Sequence, residues 1–147
     1  MRRFSARTFI RRPPAEVFDF IADHRNVPRV LDGVSRWEPL GVKSRGAGAR
    51  YRVEMRTLGL PLRAVLRLDG WRRPERISWV SEGGLIPQSG GWTFTARDGG
   101  VELELRLAYE PPAAALGNFV AGRVESLVKG RLEAALERIR AELEESR

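Results

Sequence analysis

Near the end of the chain, apolar residues recur at three- and four-residue steps: Leu116, Val120, Val124, Leu127, Val128, Leu132, Ala135, Leu136, Ile139 and Leu143. That spacing predicts one apolar face of an α-helix over residues 113–145, just after Pro111-Pro112. At about 1.5 Å per residue the helix would be roughly 50 Å long, longer than a small domain is wide. Gly117, Gly122 and Gly130 weaken it, and a bend near Gly130 would suit the drift of the apolar stripe.

Before this stretch the period is mostly two. Phe4, Ala6, Thr8 and Ile10 alternate with polar or outward residues, so residues 3–11 read as a strand. Pro13-Pro14 ends it and starts a short helix over 15–22, burying Val17, Phe18 and Ile21. A second helical turn is expected around 27–31, then a poorly patterned strand over 34–42 with Val34, Trp37 and Leu40. Tyr51, Val53 and Met55 share one face of the next strand, and Leu62, Ala64, Leu66 and Leu68 one face of its hairpin partner. Residues 76–81 form a strand with Ile77 and Trp79 inward. A loose connection over 82–89 leads to a strand with Trp92 and Phe94 inward. Asp98-Gly99-Gly100 signals a hairpin into a last strand, where Leu103, Leu105, Leu107 and Tyr109 alternate with charged residues. Strands joined by hairpins make an antiparallel sheet, and one apolar face per strand means that one side is covered. The predicted architecture is α+β: a curved antiparallel sheet of about seven strands wrapped around a long C-terminal helix. Two short helices lie between strands one and two.

Composition narrows the chemistry. A chain of 147 residues fits one domain, taken as 1–147. There is no cysteine and a single histidine, His24, which excludes thiolate catalysis, disulfides and multi-histidine metal sites. Neither a signal peptide nor a run of apolar residues long enough to span a membrane is legible, so a cytoplasmic location is expected. Gly41-Val-Lys-Ser-Arg-Gly46 spaces two glycines like a phosphate loop, but Ala47 and Gly48 stand where Lys and Ser/Thr are needed. No cofactor and no metal are expected.

The net charge of +7 is uneven: residues 1–76 carry 18 Lys+Arg against 8 Asp+Glu, and residues 77–147 carry 8 against 11. Pairing of the third and fourth strands would gather Arg50, Arg52, Arg56, Arg63 and Arg67 on the outer sheet face. That basic patch could meet an anionic surface, either membrane or RNA. Glu54 and Asp69 on that face read as cross-strand ion-pair partners.

The chain resembles the helix-grip, START-like superfamily, and within it the polyketide cyclase/dehydrase and lipid-transport branch that includes coenzyme Q-binding proteins and their bacterial ribosome-association relatives. The resemblance rests on Ile10-Arg-Arg-Pro-Pro-Ala-Glu-Val-Phe-Asp-Phe-Ile-Ala-Asp23, Pro28, Gly90-Gly-Trp-Thr-Phe94, Val101-Glu-Leu-Glu-Leu105, Tyr109-Glu-Pro111 and the terminal helix. It implies a cavity between helix and sheet that holds an apolar ligand, and it does not imply one reaction.

The inward face predicts a wall for such a cavity. Its residues are Tyr51, Val53, Met55, Leu66, Trp79, Trp92, Phe94, Leu105 and Tyr109, joined from the helix by Val124, Val128 and Arg131. Arg131 could meet an acidic group of the ligand or reach out to solvent. The expected function is binding of a lipid, isoprenoid quinone or polyketide-like aromatic. The alternatives are a cyclase/dehydratase-type enzyme and a ribosome-associated interaction protein. Catalysis would need Tyr51, Tyr109, Arg131 or His24 to converge, since the inward strand positions hold no other polar group. Gly83-Gly84 and Gly90-Gly91 bracket Leu85 and Ile86, and this stretch, with the short helices near His24, is expected to gate the cavity.

Overall fold

The computed structural model describes residues 2–57, 59–84, 86–110 and 118–145, and for 57, 60 and 118–121 the backbone alone. The element order is β1 (Arg2–Ile10), α1 (Pro14–Ala22), a single 3-10 turn (His24–Asn26) and α2 (Val27–Val30). There follow β2 (Val34–Pro39), β3 (Arg50–Thr57), β4 (Leu60–Arg72), β5 (Arg76–Gly84), β6 (Gln88–Arg97), β7 (Gly100–Tyr109) and α3 (Asn118–Glu145). The seven strands form one antiparallel sheet in the order β1-β7-β6-β5-β4-β3-β2. It is the helix-grip fold, a curved half-barrel sheet closed by the long C-terminal helix.

Register follows the alternation in the chain. Tyr51 stands opposite Leu66, Val53 opposite Ala64 and Met55 opposite Leu62. Ile77 pairs with Trp92, and Trp92 in turn with Leu105. A pleated strand points successive side chains to opposite faces, so these pairs put one apolar face on the inside and leave the arginines outside. α1 begins at Pro14, where a missing N–H costs nothing, and the Pro13 carbonyl accepts from the amides of Glu16 and Val17. Asp23 ends α1 and caps the turn that follows by accepting from the Arg25 amide.

Helix α3 lies along β1 and α2. Its far end is tied by Arg12, whose guanidinium donates to the carbonyls of Leu143 and Glu144, two of the carbonyls a helix end leaves unpaired. α3 runs as one element through Gly122 and Gly130, where a Cβ would meet nothing within 4 Å. The expected start at residue 113 and Leu116 lie outside the described residues, as does the side chain of Val120.

The strands beside the β5–β6 connection depart most from expectation. Residues 82–84 and 88–91 are strand, so the loose connection expected over 82–89 shrinks to residues 85–87. The glycines explain it. Gly84 has φ +114 beside a register shift between Val65 and Leu66, and a Cβ there would stand 2.7 Å from the Arg63 carbonyl oxygen. Gly90 lies under an indole: a Cβ on it would come within 2.4 Å of Trp79 Cζ2. They are close approaches within the sheet rather than loop hinges.

Candidate functional site: a cavity under the N-terminal half of α3

The space between sheet and helix is filled unevenly. At one end α1 drives Phe18 into the core, with its ring centroid 5.2 Å from that of Trp71 and 5.1 Å from that of Phe94. Ile10, Val17, Val101, Leu103 and Ile139 complete that end, all fully buried. At the other end nothing equivalent to Phe18 enters among the described residues, and a cavity of about 170 Å³ remains. It is comparable to cavities that accept a single benzene ring, and below the roughly 300–1,000 Å³ of drug-sized ligand pockets.

The wall is built from every inward strand near this end. β3 contributes Val53 and Met55, and β4 contributes Leu62, Ala64 and Leu66. β5 and β6 contribute Trp79 and Trp92, β7 contributes Leu105, Leu107 and Tyr109, and α3 contributes Val124, Val128, Arg131 and Leu132. Thus ten of the twelve residues proposed from the sequence come together here. Tyr51 and Phe94 face inward but stand outside the lining. Tyr51 donates its hydroxyl to the Ser44 carbonyl and packs against His24 and Trp37, each with ring centroids 6.0 Å away; Phe94 packs on Phe18. His24 is also outside, so the four side chains that catalysis would need are divided, with Tyr109 and Arg131 on the cavity and Tyr51 and His24 off it.

The short helices near His24 were expected at the cavity mouth, but the residues they give to the fourth side of the wall were not among those proposed from the sequence. Val27, Leu31 and Asp32 close it from α2 and the turn after it, with Val34 and Trp37 of β2 beside them. Apolar residues either side of Asp32-Gly33 were a usable signal, but so short a helix shows no clear period. Ile86 reaches the wall from the β5–β6 connection and Gln88 from the start of β6, whereas Leu85 lies outside the described residues.

Polar groups are few and mostly engaged. Asp32 accepts from Arg138 Nη1 at 2.6 Å, and Arg63, 80 % exposed, pairs with Glu54 at 3.3 Å. Arg131 Nη2 donates to the Arg56 carbonyl at 2.8 Å. Burial pushes the Tyr109 phenol up from its ordinary pKa, with Glu125 adding to the rise and Arg2 opposing it. Burial also raises Tyr51, against the pull of Arg45. Both phenols therefore stay protonated at neutral pH and serve as donors, not bases. Trp79 is 8 % exposed, and its indole N–H is buried with no acceptor among the described residues.

The outer face is more neutral than its arginines suggest. Glu82 joins Arg50 and Arg67, directly opposite each other on β3 and β4, and is held below the usual carboxylate range first by the hydrogen bond from Arg50. Glu54 lies within salt-bridge distance of Arg36 and Arg63. Asp69 instead accepts from the Ser78 hydroxyl at 2.7 Å. Arg52 and Arg56 share the same outward face. Among the described residues no group of three or more His, Asp or Glu is placed to hold a metal ion, and no helix is long and apolar enough to cross a membrane.

A family model described as polyketide cyclase / dehydrase and lipid transport matches residues 1–144. The chain belongs to that family. Solved structures of the same fold include a protein from Thermus thermophilus, with a TM-score of 0.85 at 23 % identity over 99 % of this chain and 100 % of that one. The Zhui aromatase/cyclase from a Streptomyces species has a TM-score of 0.72 at 17 % identity, covering 97 % of this chain and 95 % of the other. A START superfamily protein from Mycobacterium smegmatis has a TM-score of 0.70 at 13 % identity, covering 93 % and 98 %. At these identities the likeness is one of fold. No curated protein matches the chain significantly by sequence. Membership of the family suggests hydrophobic ligands and leaves the particular ligand and any reaction open.

Proposed function

We propose that this protein binds a small apolar molecule, such as a lipid, an isoprenoid quinone or a polyketide-like aromatic, without catalysing a reaction on it. The observation that carries the reading is the hollow itself. An apolar wall drawn from β3 to β7, α2 and α3 surrounds about 170 Å³ that a side chain could have filled. Leaving such a volume open costs stability, so its persistence favours a use for it. Among the described residues the buried indole N–H of Trp79 has no acceptor, and a ligand oxygen that reached it would relieve that cost. Among the described residues of the wall, Asp32 is engaged by Arg138 and Tyr109 is kept protonated, which favours holding over turnover.

Calorimetric titration with toluene, a single-ring probe matched to the cavity volume, together with native mass spectrometry of gently purified protein, tests this. Saturable uptake at one site, displaced by a co-purified or added apolar compound, is the expected outcome. No uptake by folded protein would overturn the proposal.

A further inference from the structure

At one end of the cavity wall two neutral polar side chains stand together. Gln88, at the start of β6, lies directly opposite Tyr109, at the end of β7, and both line the cavity. Residues directly opposite on antiparallel strands share a face, with Cβ atoms about 4.5–5.5 Å apart. The framework of the pair is fixed. The Gln88 backbone amide donates to the Ser81 hydroxyl at 2.9 Å, and the Tyr109 ring stacks on Phe4 with centroids 5.7 Å apart. Their polar ends are not engaged: among the described residues neither the Gln88 carboxamide nor the Tyr109 hydroxyl has a hydrogen-bond partner. Tyr109 is only 8 % exposed, and burial is the first cause of the rise in its pKa, so its hydroxyl is largely withdrawn from water. Withdrawing a hydroxyl from water without a partner is costly, and a ligand atom between the two heads would offset that cost.

The charged groups of the wall are taken up by the protein itself. Asp32 accepts from Arg138, Arg63 lies mostly in solvent beside Glu54, and Arg131 donates to the Arg56 carbonyl and has a further partner. Next to Tyr109, Arg2 and Glu125 pair with each other at 2.7 Å. A charged ligand would enter this apolar space without a counter-ion, so the site suits an uncharged one. The Gln88 carboxamide offers an oxygen acceptor, and the Tyr109 hydroxyl offers a donor. A hydroxyl group, which donates and accepts at once, answers both; an ether or ketone oxygen answers one. The rest of the space suits an aromatic ring. About 170 Å³ admits a single ring, and the indoles of Trp37, Trp79 and Trp92 line it.

We infer that the ligand is an uncharged single-ring phenol, its ring among the indoles and its hydroxyl held between the Gln88 carboxamide and the Tyr109 hydroxyl. This rests on the apolar-ligand reading above and narrows it to a chemical class. The experiment is calorimetry with toluene, p-cresol and 4-methylanisole on the wild type, Tyr109→Phe and Gln88→Met. p-Cresol adds one hydroxyl to toluene, and 4-methylanisole presents an oxygen that accepts but cannot donate. In the wild type, p-cresol is expected to bind about 10-fold more tightly than toluene, with 4-methylanisole between them. Each variant should weaken p-cresol about 5-fold and leave toluene as before, and Gln88→Met should also remove the gap between p-cresol and 4-methylanisole. Should one variant fail to fold by circular dichroism, the other variant and the wild-type ranking of the three probes carry the test. Wild-type binding of p-cresol no tighter than toluene or 4-methylanisole would overturn this inference and leave apolar binding standing. A p-cresol preference that survives both substitutions, or variants that weaken toluene as much as p-cresol, would overturn it too. Failure of the wild type to take up any of the three probes would overturn both readings.

Discussion

Leu132, Leu136, Ile139 and Leu143, on the C-terminal half of α3, are buried, whereas Val124, Leu127 and Val128, two turns earlier, are only half-buried. The same helix crosses the same sheet in both places. The difference lies in the third layer: α1 brings Phe18 into the core at the packed end, whereas Val124 and Val128 line the cavity, with Leu132 at the boundary between the two. One half of the molecule is packed as a core that tolerates little change, and the other is held open by the first. An unfilled volume of this size costs on the order of 4 kcal/mol, a sizeable share of the roughly 5–15 kcal/mol by which a domain is usually stable. The solid half must therefore supply the stability that the hollow half forgoes.

Truncation is the sharpest way to break this contrast. Phe18→Ala should cost about 3–5 kcal/mol, whereas Val128→Ala, at a half-buried site already next to empty space, should cost about 1 kcal/mol or less. Urea unfolding of the two variants would measure both; similar losses would mean that the two ends are packed alike. Enlargement should reverse the order. Val17→Phe at the packed end should destabilise by about 1–3 kcal/mol, while Val128→Phe should leave stability unchanged or raised and abolish toluene uptake. Retained toluene binding in Val128→Phe would place the probe elsewhere.

The smallest effect lies at the junction, where Asp23 ends α1. The hydrogen bond from the Arg25 side chain, reinforced by the Arg25 amide, lowers its pKa from 3.8 to about 2, against a partial rise from burial. A depressed carboxyl contributes stability that is fully present above the unfolded value and disappears as pH falls through the folded one. The loss should therefore run from near pH 4 down to near pH 2. The partners are two residues apart and Arg25 is largely exposed, so the energetic change should be slight. An NMR titration of the Asp23 carboxyl with a midpoint close to 3.8 would remove the interaction from the account.

Period-two alternation was sufficient to say which side chains face inward, as the pairs Tyr51–Leu66 and Trp92–Leu105 attest. It could not say how deep each would lie. Tyr51 and Phe94 alternate just as Val53 and Trp92 do, yet they stand off the cavity, because depth depends on where α1 and the loop carrying Ser44 come to rest. Gly84 and Gly90 were misleading for a related reason. A glycine that turns a chain and a glycine that admits an indole or a neighbouring strand look alike until the neighbour is in place. The α2 residues were expected at the cavity mouth but not named in its wall, because a single helical turn carries too few residues to show which side chains face inward.

The sheet order has a consequence for how the molecule assembles. From β2 to β7 each strand lies beside the next in sequence, but β1, made first, pairs with β7, with Ile10 opposite Val101 and Arg2 opposite Tyr109. β1 therefore has no sheet partner until β7 is made, and closing so long a loop is slow because its entropy must be lost before the ladder forms. β2 to β7 can zip up successively in the meantime, leaving the β7 edge open for β1. Arg12, just after β1, reaches the end of α3, so closing the β1–β7 ladder also brings this tie to the helix within range.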